Sequence, residues 1–526
     1  MTYWQEAPMN RGQLVLFADR LEDRIPPNHP VRLLDEILSG MDWSGWEAKY
    51  DGHRGQPPIH PSILCKVILY GLIRRVRSSR QLEYSVSHGI DFIWLTSGCS
   101  LDHTTISKFR TAHAKELKTL YQEVCRYALH LGVARLAEVC IDGSRVLGNA
   151  SRYKTWTAER TRKLLEQLDA QIDKALGELQ TNDELDEAFD GDSGTELPPE
   201  VTDLKARREK IRQIHEQLQE MDQSRKKDGI DPTKNPAQLS MTDPQARILP
   251  NKSGGYAPNY TPMVITETTG GFIIHEDVLV GNIEHTCLVS MLKATQDVYE
   301  QAIGTALADA AYSTGPNLAQ IEELSLELLS PLASGDPPTP NPAVRETPTE
   351  PVPDDQIDTL PIHGSTKKFD KSAFIFDAEK NCYYCPAGKE LPHRYTEKRN
   401  VQGTPIHSSV YECSDCDGCP LAAKCREKID AKSGRRIRRD EHEELREKHR
   451  RKMNDPGIKE RYKKRLHYGE VQFAFIKQWM NLRQFLTRGV EKVQQEWTWA
   501  CLAYNLRKLM SHHAQQQLPV TTNETG

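Results

Sequence analysis

Residues 136–151 read LAEVCIDGSRVLGNAS, and the hydrophobic period of the chain changes there. The preceding sequence has helical spacing. AEVCID is instead a short apolar run of β type that ends in Asp142, with a Gly143–Ser144 turn behind it. A second run of this kind, AIGTALADAAY (302–312), ends in Asp309, and the turn STGPN opens a helix with Pro316 early in it. Between the two lie strand-like runs at TPMVITET (261–268) and GFIIHEDVLV (271–280), joined at Thr269–Gly270–Gly271, then an amphipathic helix over about 285–302. LELLSPL (326–332) is a further strand. A third acid, Glu470, stands near the start of LHYGEVQFAFIKQWMNLRQFLTRG (466–489), which reads as one helix rich in Phe, Trp, Ile and Met; Lys477 lies seven residues on, with Arg483 and Arg488 beyond. Strands alternating with helices make this an α/β chain.

On the N-terminal side, residues 14–135 read as helices. PSILCKVILYGLIRRVRSSRQLEYSV (61–86) carries a basic knot at Arg74, Arg75, Arg77 and Arg80, and SLDHTTISKFRTAHAKELKTLYQEVCRYAL (100–129) opens on an N-cap, Ser100 or Asp102. The polar start of that second helix, with His103, Lys108 and Arg110, fits a helix-turn-helix-like DNA reader and equally an ordinary bundle with a solvated basic face. Apolar residues three or four apart, Leu164 to Leu179 and Leu204 to Met221, predict an antiparallel helical hairpin with an acidic tip. The expected organisation is a helical domain at 1–134, DNA reader or plain bundle, a core in three parts at 135–156, 240–332 and 456–512, the hairpin insertion at 157–239, a disordered Pro-rich linker at 333–365, a Cys-rich and basic insertion at 366–455, and a disordered tail at 513–526.

The length of 526 residues suggests about three or four domains. The N-terminus lacks a basic-then-apolar leader, and no run approaches the ~20 apolar residues that span a bilayer, so a cytoplasmic protein is expected. The net charge of −5 is unevenly spread. Acid concentrates at 182–203, while 424–452 is strongly basic, and such a distribution can hide a basic face. Six of the twelve cysteines fall between 382 and 425, in NCYYCPAGKELP (381–392) and YECSDCDGCPLAAKC (411–425). Thiolates at this spacing suit one tetrahedral Zn²⁺, which needs four of them; buried or redox thiols are the alternative.

Two strands that each end in an acid, with a third acid on a later helix, make an oxygen-rich site suited to Mg²⁺ or Mn²⁺ when the strands are neighbours. Two such ions ~3.5–4 Å apart can activate a water or a 3′-hydroxyl and stabilise the leaving oxygen of a phosphodiester. Each acid also has a plain reading: an Asp before Gly is commonly a turn residue, and a Glu in a first helical turn a dipole partner. Asp243 competes as a fourth candidate.

EVCIDGS, ALADAAYSTGPN and YGEVQFAFIKQWMNLRQFLTRGVEKVQQEWTWACLAYNLRKL resemble the DDE transposases of bacterial insertion sequences. The resemblance implies a ribonuclease H-like mixed sheet flanked by helices, and Asp142, Asp309 and Glu470 as the metal-binding triad. It further implies DNA cleavage and strand transfer at the element's terminal repeats, and a homodimer on paired double-stranded DNA ends. The family signature Tyr-x2-Arg-x3-Glu-x6-Lys is matched by Tyr462, Arg465, Glu470 and Lys477, except that four residues separate Arg465 from Glu470. One residue of offset turns a helix position by ~100°. Glu470 and Lys477, at i and i+7, are expected to share a face, with Lys477 on the DNA backbone and Arg483, Lys108 and Arg110 as further DNA contacts. The CPAGK…CxxCPL…C insertion is similar to that of one large subgroup, which favours Cys385, Cys416, Cys419 and Cys425 as zinc ligands, with Cys382 and Cys413 as alternates. A nuclease of the same fold without strand transfer, and a non-enzymatic DNA-binding descendant, are the rival readings.

Overall fold

The computed structural model describes residues 20–50, 58–186, 199–227, 229–251, 254–332, 341–401, 404–428 and 433–516. The chain forms two compact units. One holds the residues up to 284 together with 291–302 and 466 onward; the other holds 285–290 and 303–465.

In the first unit the change of period at 136 marks the start of a sheet. Its strands are β1 (Glu138–Gly143), β2 (Val146–Leu147), β3 (Thr155–Trp156), β4 (Leu239–Ser240), β5 (Arg247–Pro250), β6 (Tyr256–Glu267) and β7 (Ile273–Leu279). β6 is the organising strand, paired antiparallel to β1, β2, β5 and β7, with Asp142 opposite Val264. The hairpin expected at 269–271 joins β6 to β7, with Gly271 at φ 74°, a conformation that only glycine adopts cheaply. At its root the buried Glu267 carboxylate accepts the amides of Thr269 (2.8 Å), Gly270 (2.9 Å), Phe272 (2.9 Å) and Arg135 (3.2 Å).

Helices cover this sheet. Val490–Gln516 is enclosed on most sides, with Trp497 and Trp499 among the largest fully buried side chains. It packs on β7 and on the helices Pro61–Ile73 and Ala114–His130, and Trp497 Nε1 donates to Met263 O on β6 (3.3 Å). The hairpin insertion is present as Ala158–Asp186 and Pro199–Lys227. Thr161 meets His215 and Asp169 meets Arg208, so the arms run antiparallel, and Leu168, Ile211, Ile214 and Leu218 form the seam. Most of its acidic tip, 187–198, lies outside the described residues.

In the second unit β8 (Thr305–Leu307) and β9 (Glu327–Leu329) pair in parallel, connected by the helix Gly315–Glu323. A separate antiparallel sheet runs in order through β10 (Ile375–Asp377), β11 (Cys382–Tyr384), β12 (Glu390–Val401), β13 (Thr404–Glu412) and β14 (Arg436–Asp440). Parallel and antiparallel pairs with covering helices make the class mixed α/β, as expected.

Four local expectations are corrected. The helix expected over 466–489 runs from Lys464 only to Trp479, because Phe475–Trp479 widens into a π turn and Asn481, at φ 57°, ends it. The helix expected from 100 to 129 breaks at His113, whose ring packs against Trp46 and Phe109; Asp102 caps its first half, accepting the amides of Thr104 (2.8 Å) and Thr105 (2.9 Å). The Pro-rich segment is not loose over 341–365: Ala343, Val352 and Leu360 are buried in one core with Phe369, Tyr383 and Leu391, so its few apolar residues suffice to fasten it. Its first part, 333–340, lies outside the described residues. The C-terminal helix continues to Gln516, past the expected start of the tail, and 517–526 lie outside the described residues.

Replacing Glu267 by Ala takes the acceptor from four amides at the hairpin root, that of Phe272 fully buried, and should lower stability by about 3 kcal/mol. A shift of the urea midpoint at constant m value checks this, and an unchanged midpoint refutes it.

Candidate active site

β1 delivers Asp142 to its C-terminal end, where the side chain is buried and its Oδ1 accepts the Gly143 amide (2.9 Å). The helix Lys464–Ala474 comes against this point through Gly469. A Cβ on Gly469 would stand 3.1 Å from Asp142 Oδ2, 3.4 Å from Cys140 Sγ and 3.6 Å from Asp142 Cβ. Only a residue without a side chain lets the helix backbone approach the carboxylate so closely. Glu470 is the next residue and is exposed. The helix is fixed by Gln472, Phe473 and Ile476, which are buried, and Phe473 stacks on Trp497 at 5.8 Å. A further carboxylate, Glu284, reaches within 3.3 Å of where a Cβ on Gly143 would stand, so β1 ends among acids. Grouped carboxylates repel unless cations balance them.

Lys477, expected on the DNA backbone, donates its ammonium to Ser144 Oγ and to Arg145 O (2.7 Å) from within the wide turn at Phe475–Trp479. It thereby braces the turn that follows Asp142. Arg483 is exposed and bonds Gln478. Lys108 is exposed on the helix His103–Ala112. Arg110, expected at a DNA face, is enclosed near Glu496 and Arg77; burial lowers its pKa and Glu496 opposes that. Asp243 is a structural acid: its buried carboxylate accepts Tyr260 OH at 2.9 and 3.0 Å and the Gly489 amide at 3.3 Å.

Asp309 belongs to the second unit. It lies two residues past β8, and its Oδ1 accepts the Ala311 amide (2.8 Å) as an N-cap. Arg465 Nη2 stands 3.9 Å from Asp309 Oδ2, and Tyr462 OH donates to Ala308 O (3.0 Å). The offset noted in the signature therefore leaves Tyr462 and Arg465 both addressing the end of β8. The basic run serves the same strands: Lys452 Nζ donates to Leu328 O (2.6 Å), Arg461 pairs with Glu327 (3.0 Å), and His449 bonds Ser330 O (2.7 Å).

Five cysteines, Cys385, Cys413, Cys416, Cys419 and Cys425, line one small cavity of about 20 Å³, and Cys382 does not. The amides of Lys389 and Arg435 point at Cys385 Sγ and Cys416 Sγ (3.4 Å each). Burial pushes the Cys425 thiol up to about 12 and raises Cys385 and Cys413. The donor set and its N–H···S bonds suit a thiophilic ion. Among the described residues, however, no group of three or more His, Cys, Asp or Glu side chains is already drawn together as a ligand shell.

Two family models match. The one described as Transposase DDE domain covers residues 384–510, and the one described as Transposase domain (DUF772) covers residues 19–112. The two matches indicate a DDE-type transposase. The DDE match includes Glu470, Lys477 and all of the cavity-lining cysteines; Asp142 and Asp309 lie before it. No curated protein and no solved structure matches. A DDE transposase is an enzyme of polynucleotidyl-transferase or nuclease type. No helix among the described residues is long and apolar enough to cross a membrane.

Sequence reasoning missed Gly469 and Glu284. Gly469 had a signal, since a glycine inside a helix costs ~1 kcal/mol against alanine and needs a reason to be there. In this transposase Gly469→Ala should slow DNA cleavage at least tenfold while the thermal midpoint moves little, and Gly469→Val should abolish it. Cleavage at the wild-type rate by Gly469→Val would show that the close approach is not required.

Proposed function

We propose that this transposase binds the ends of its own element and cuts and rejoins phosphodiester bonds with Asp142, Asp309 and Glu470 as the residues that hold its divalent metals. The observation that carries the reading is the approach to Asp142 of Gly469, the neighbour of Glu470 in the segment matched as Transposase DDE domain. Mg²⁺ or Mn²⁺ held by these carboxylates would supply activation of the attacking oxygen and stabilisation of the leaving one. The chain's own part is to hold the acids. The Gly143 amide and the Lys477 brace fix the turn at Asp142, the Ala311 amide and Arg465 fix Asp309, and the Phe473–Trp497 stack fixes the helix of Glu470. Water is the attacking group for cleavage and a DNA 3′-hydroxyl for strand transfer. Lys108 and Arg483 contact phosphate, the protein works in the cytoplasm at the nucleoid, and it acts as a homodimer on paired ends.

Duplex oligonucleotides copied from the DNA flanking the gene test this. Strand-transfer product supports transposition, nicking alone supports a nuclease, and a gel shift without cleavage supports a binder. Asp142→Asn, Asp309→Asn and Glu470→Gln should each reduce cleavage by more than a hundredfold while DNA affinity stays within threefold. Activity surviving in one of them removes that residue from the site.

The same reading gives Cys385, Cys416, Cys419 and Cys425 a structural Zn²⁺, with Cys413 beside them as the alternate ligand. Purified full-length protein should carry about one zinc per chain. Cys416→Ser and Cys425→Ser should lose it, and Cys382→Ser should keep it. Protein prepared without chelators that contains no zinc refutes the assignment.

A further inference from the structure

Two arginines of the basic knot at 74–80 turn inward, onto the far end of the helix that carries Glu470. Arg75 Nε donates to Trp479 O (2.7 Å) and Arg75 Nη2 to Gln478 O (3.0 Å), while its guanidinium lies 4.8 Å from the centre of the Trp479 ring. Arg77 donates to Asn481 O and Gln484 O (2.8 Å), and its Nη2 pairs with the buried Glu496 at 2.8 Å. Four carbonyls at the end of one helix are thus taken by two cations from the N-terminal helical region. A helix C-terminus presents unsatisfied carbonyls and partial negative charge, so cations there are favoured. Here the need is greater than usual. The π turn and the positive φ of Asn481 leave residues 478–484 without regular helical bonding.

Glu496 completes the arrangement from the other side. Its carboxylate accepts the amides of Leu486 and Thr487 (3.0 Å each) and the Thr487 hydroxyl (2.9 Å). The loop 481–487 is therefore held by its carbonyls through Arg77 and by its amides through Glu496, and Arg77 and Glu496 hold each other. Arg75 adds a second hold one turn earlier, and Trp479 Nε1 returns a bond to Ile73 O (3.4 Å). The ends of this clamp are the segment matched as Transposase domain (DUF772) and the segment matched as Transposase DDE domain.

We infer that Arg75 and Arg77 are positioning residues: they fasten the N-terminal helical region to the end of the Glu470 helix and so set the placement of Glu470 and Lys477, instead of contacting DNA. The inference deepens the transposase reading and rests on it for its catalytic consequence. A guanidinium offers five donors in a fixed planar fork where lysine has a compact ammonium on a flexible stem, so charge alone does not replace it.

The test uses full-length protein carrying Arg75→Ala, Arg75→Lys or Arg77→Ala, with duplex DNA copied from the sequence flanking the gene. Hydrogen exchange should speed at least tenfold over residues 475–487 while the amides of β6 stay protected. Single-turnover cleavage at saturating DNA should fall at least tenfold with DNA affinity changed less than threefold, and Arg75→Lys should recover only part of the rate. Weakened DNA binding with an intact rate at saturation overturns the inference, since the arginines would then be phosphate contacts. Unchanged exchange at 475–487 overturns it as well. Arg75 is exposed, so its variants keep the test alive if Arg77→Ala fails to fold. If wild-type protein does not cleave the DNA, the transposase reading fails, and exchange alone still decides the clamp.

Discussion

The helix Lys464–Ala474 meets β1 with no side chain between its Gly469 backbone and the Asp142 carboxylate. Such an approach leaves little room, because a single added carbon at 3.1 Å would make the Asp142 carboxylate give by a few tenths of an ångström. It also fixes the helix in rotation. With Gly469 facing the strand, Phe473 faces Trp497 and Ile476 faces the core, and Glu470 emerges beside the strand end instead of being buried beneath it. The large buried helix Val490–Gln516 earns its size here: it is the floor on which both β6 and the Glu470 helix rest, through Trp497 in each case.

How legible this was depends on whether the signal was local. β1, β6, β7, β8 and β9 were readable because each is a short apolar run closed by turn residues, and the hairpin at Gly271 because only glycine suits its φ. The hairpin insertion was readable from its 3.6-residue seam. The end of the Glu470 helix was not, because nothing in FIKQWMNLRQF announces a wide turn. That turn is held by Arg75 and Arg77, some four hundred residues away in sequence. The same gap hid the bonds that Lys477 makes to Ser144 and Arg145. The segment 341–365 was misread for a related reason: composition says that proline-rich sequence does not fold alone, and it is silent on whether a neighbouring sheet offers a place for three apolar side chains.

Charge shows the limit of counting. Runs rich in Arg and Lys were candidates for phosphate binding, yet many of their charges are consumed inside the protein. Arg75 and Arg77 take helix-end carbonyls, Lys452 takes a strand carbonyl, Arg439 and Arg446 pair with Glu447, Asp440 and Glu443, and Arg110 is enclosed with Glu496 nearby. A guanidinium offers five donors in a fixed fork, so it is suited to gathering carbonyls that have lost helical partners as well as to gripping phosphate. Sequence alone cannot separate the two uses, since both favour arginine over lysine.

This internal use of arginine bears on how a chain of net charge −5 can work on DNA. An acid-rich site at the end of β1 is repulsive to a phosphate backbone until cations occupy it, and the arginines nearest the Glu470 helix point into the protein. On the proposed reading, attraction to DNA there would draw on bound metal and on exposed cations such as Lys108 and Arg483, because Arg75 and Arg77 are engaged with carbonyls of the chain itself. The arginines would then keep the acids in register while the metal supplies positive charge to the reacting phosphate. A knot of arginine that held the helix and gripped DNA in turn would release the helix at the moment its placement matters, which is a physical reason for the two tasks to fall on different residues.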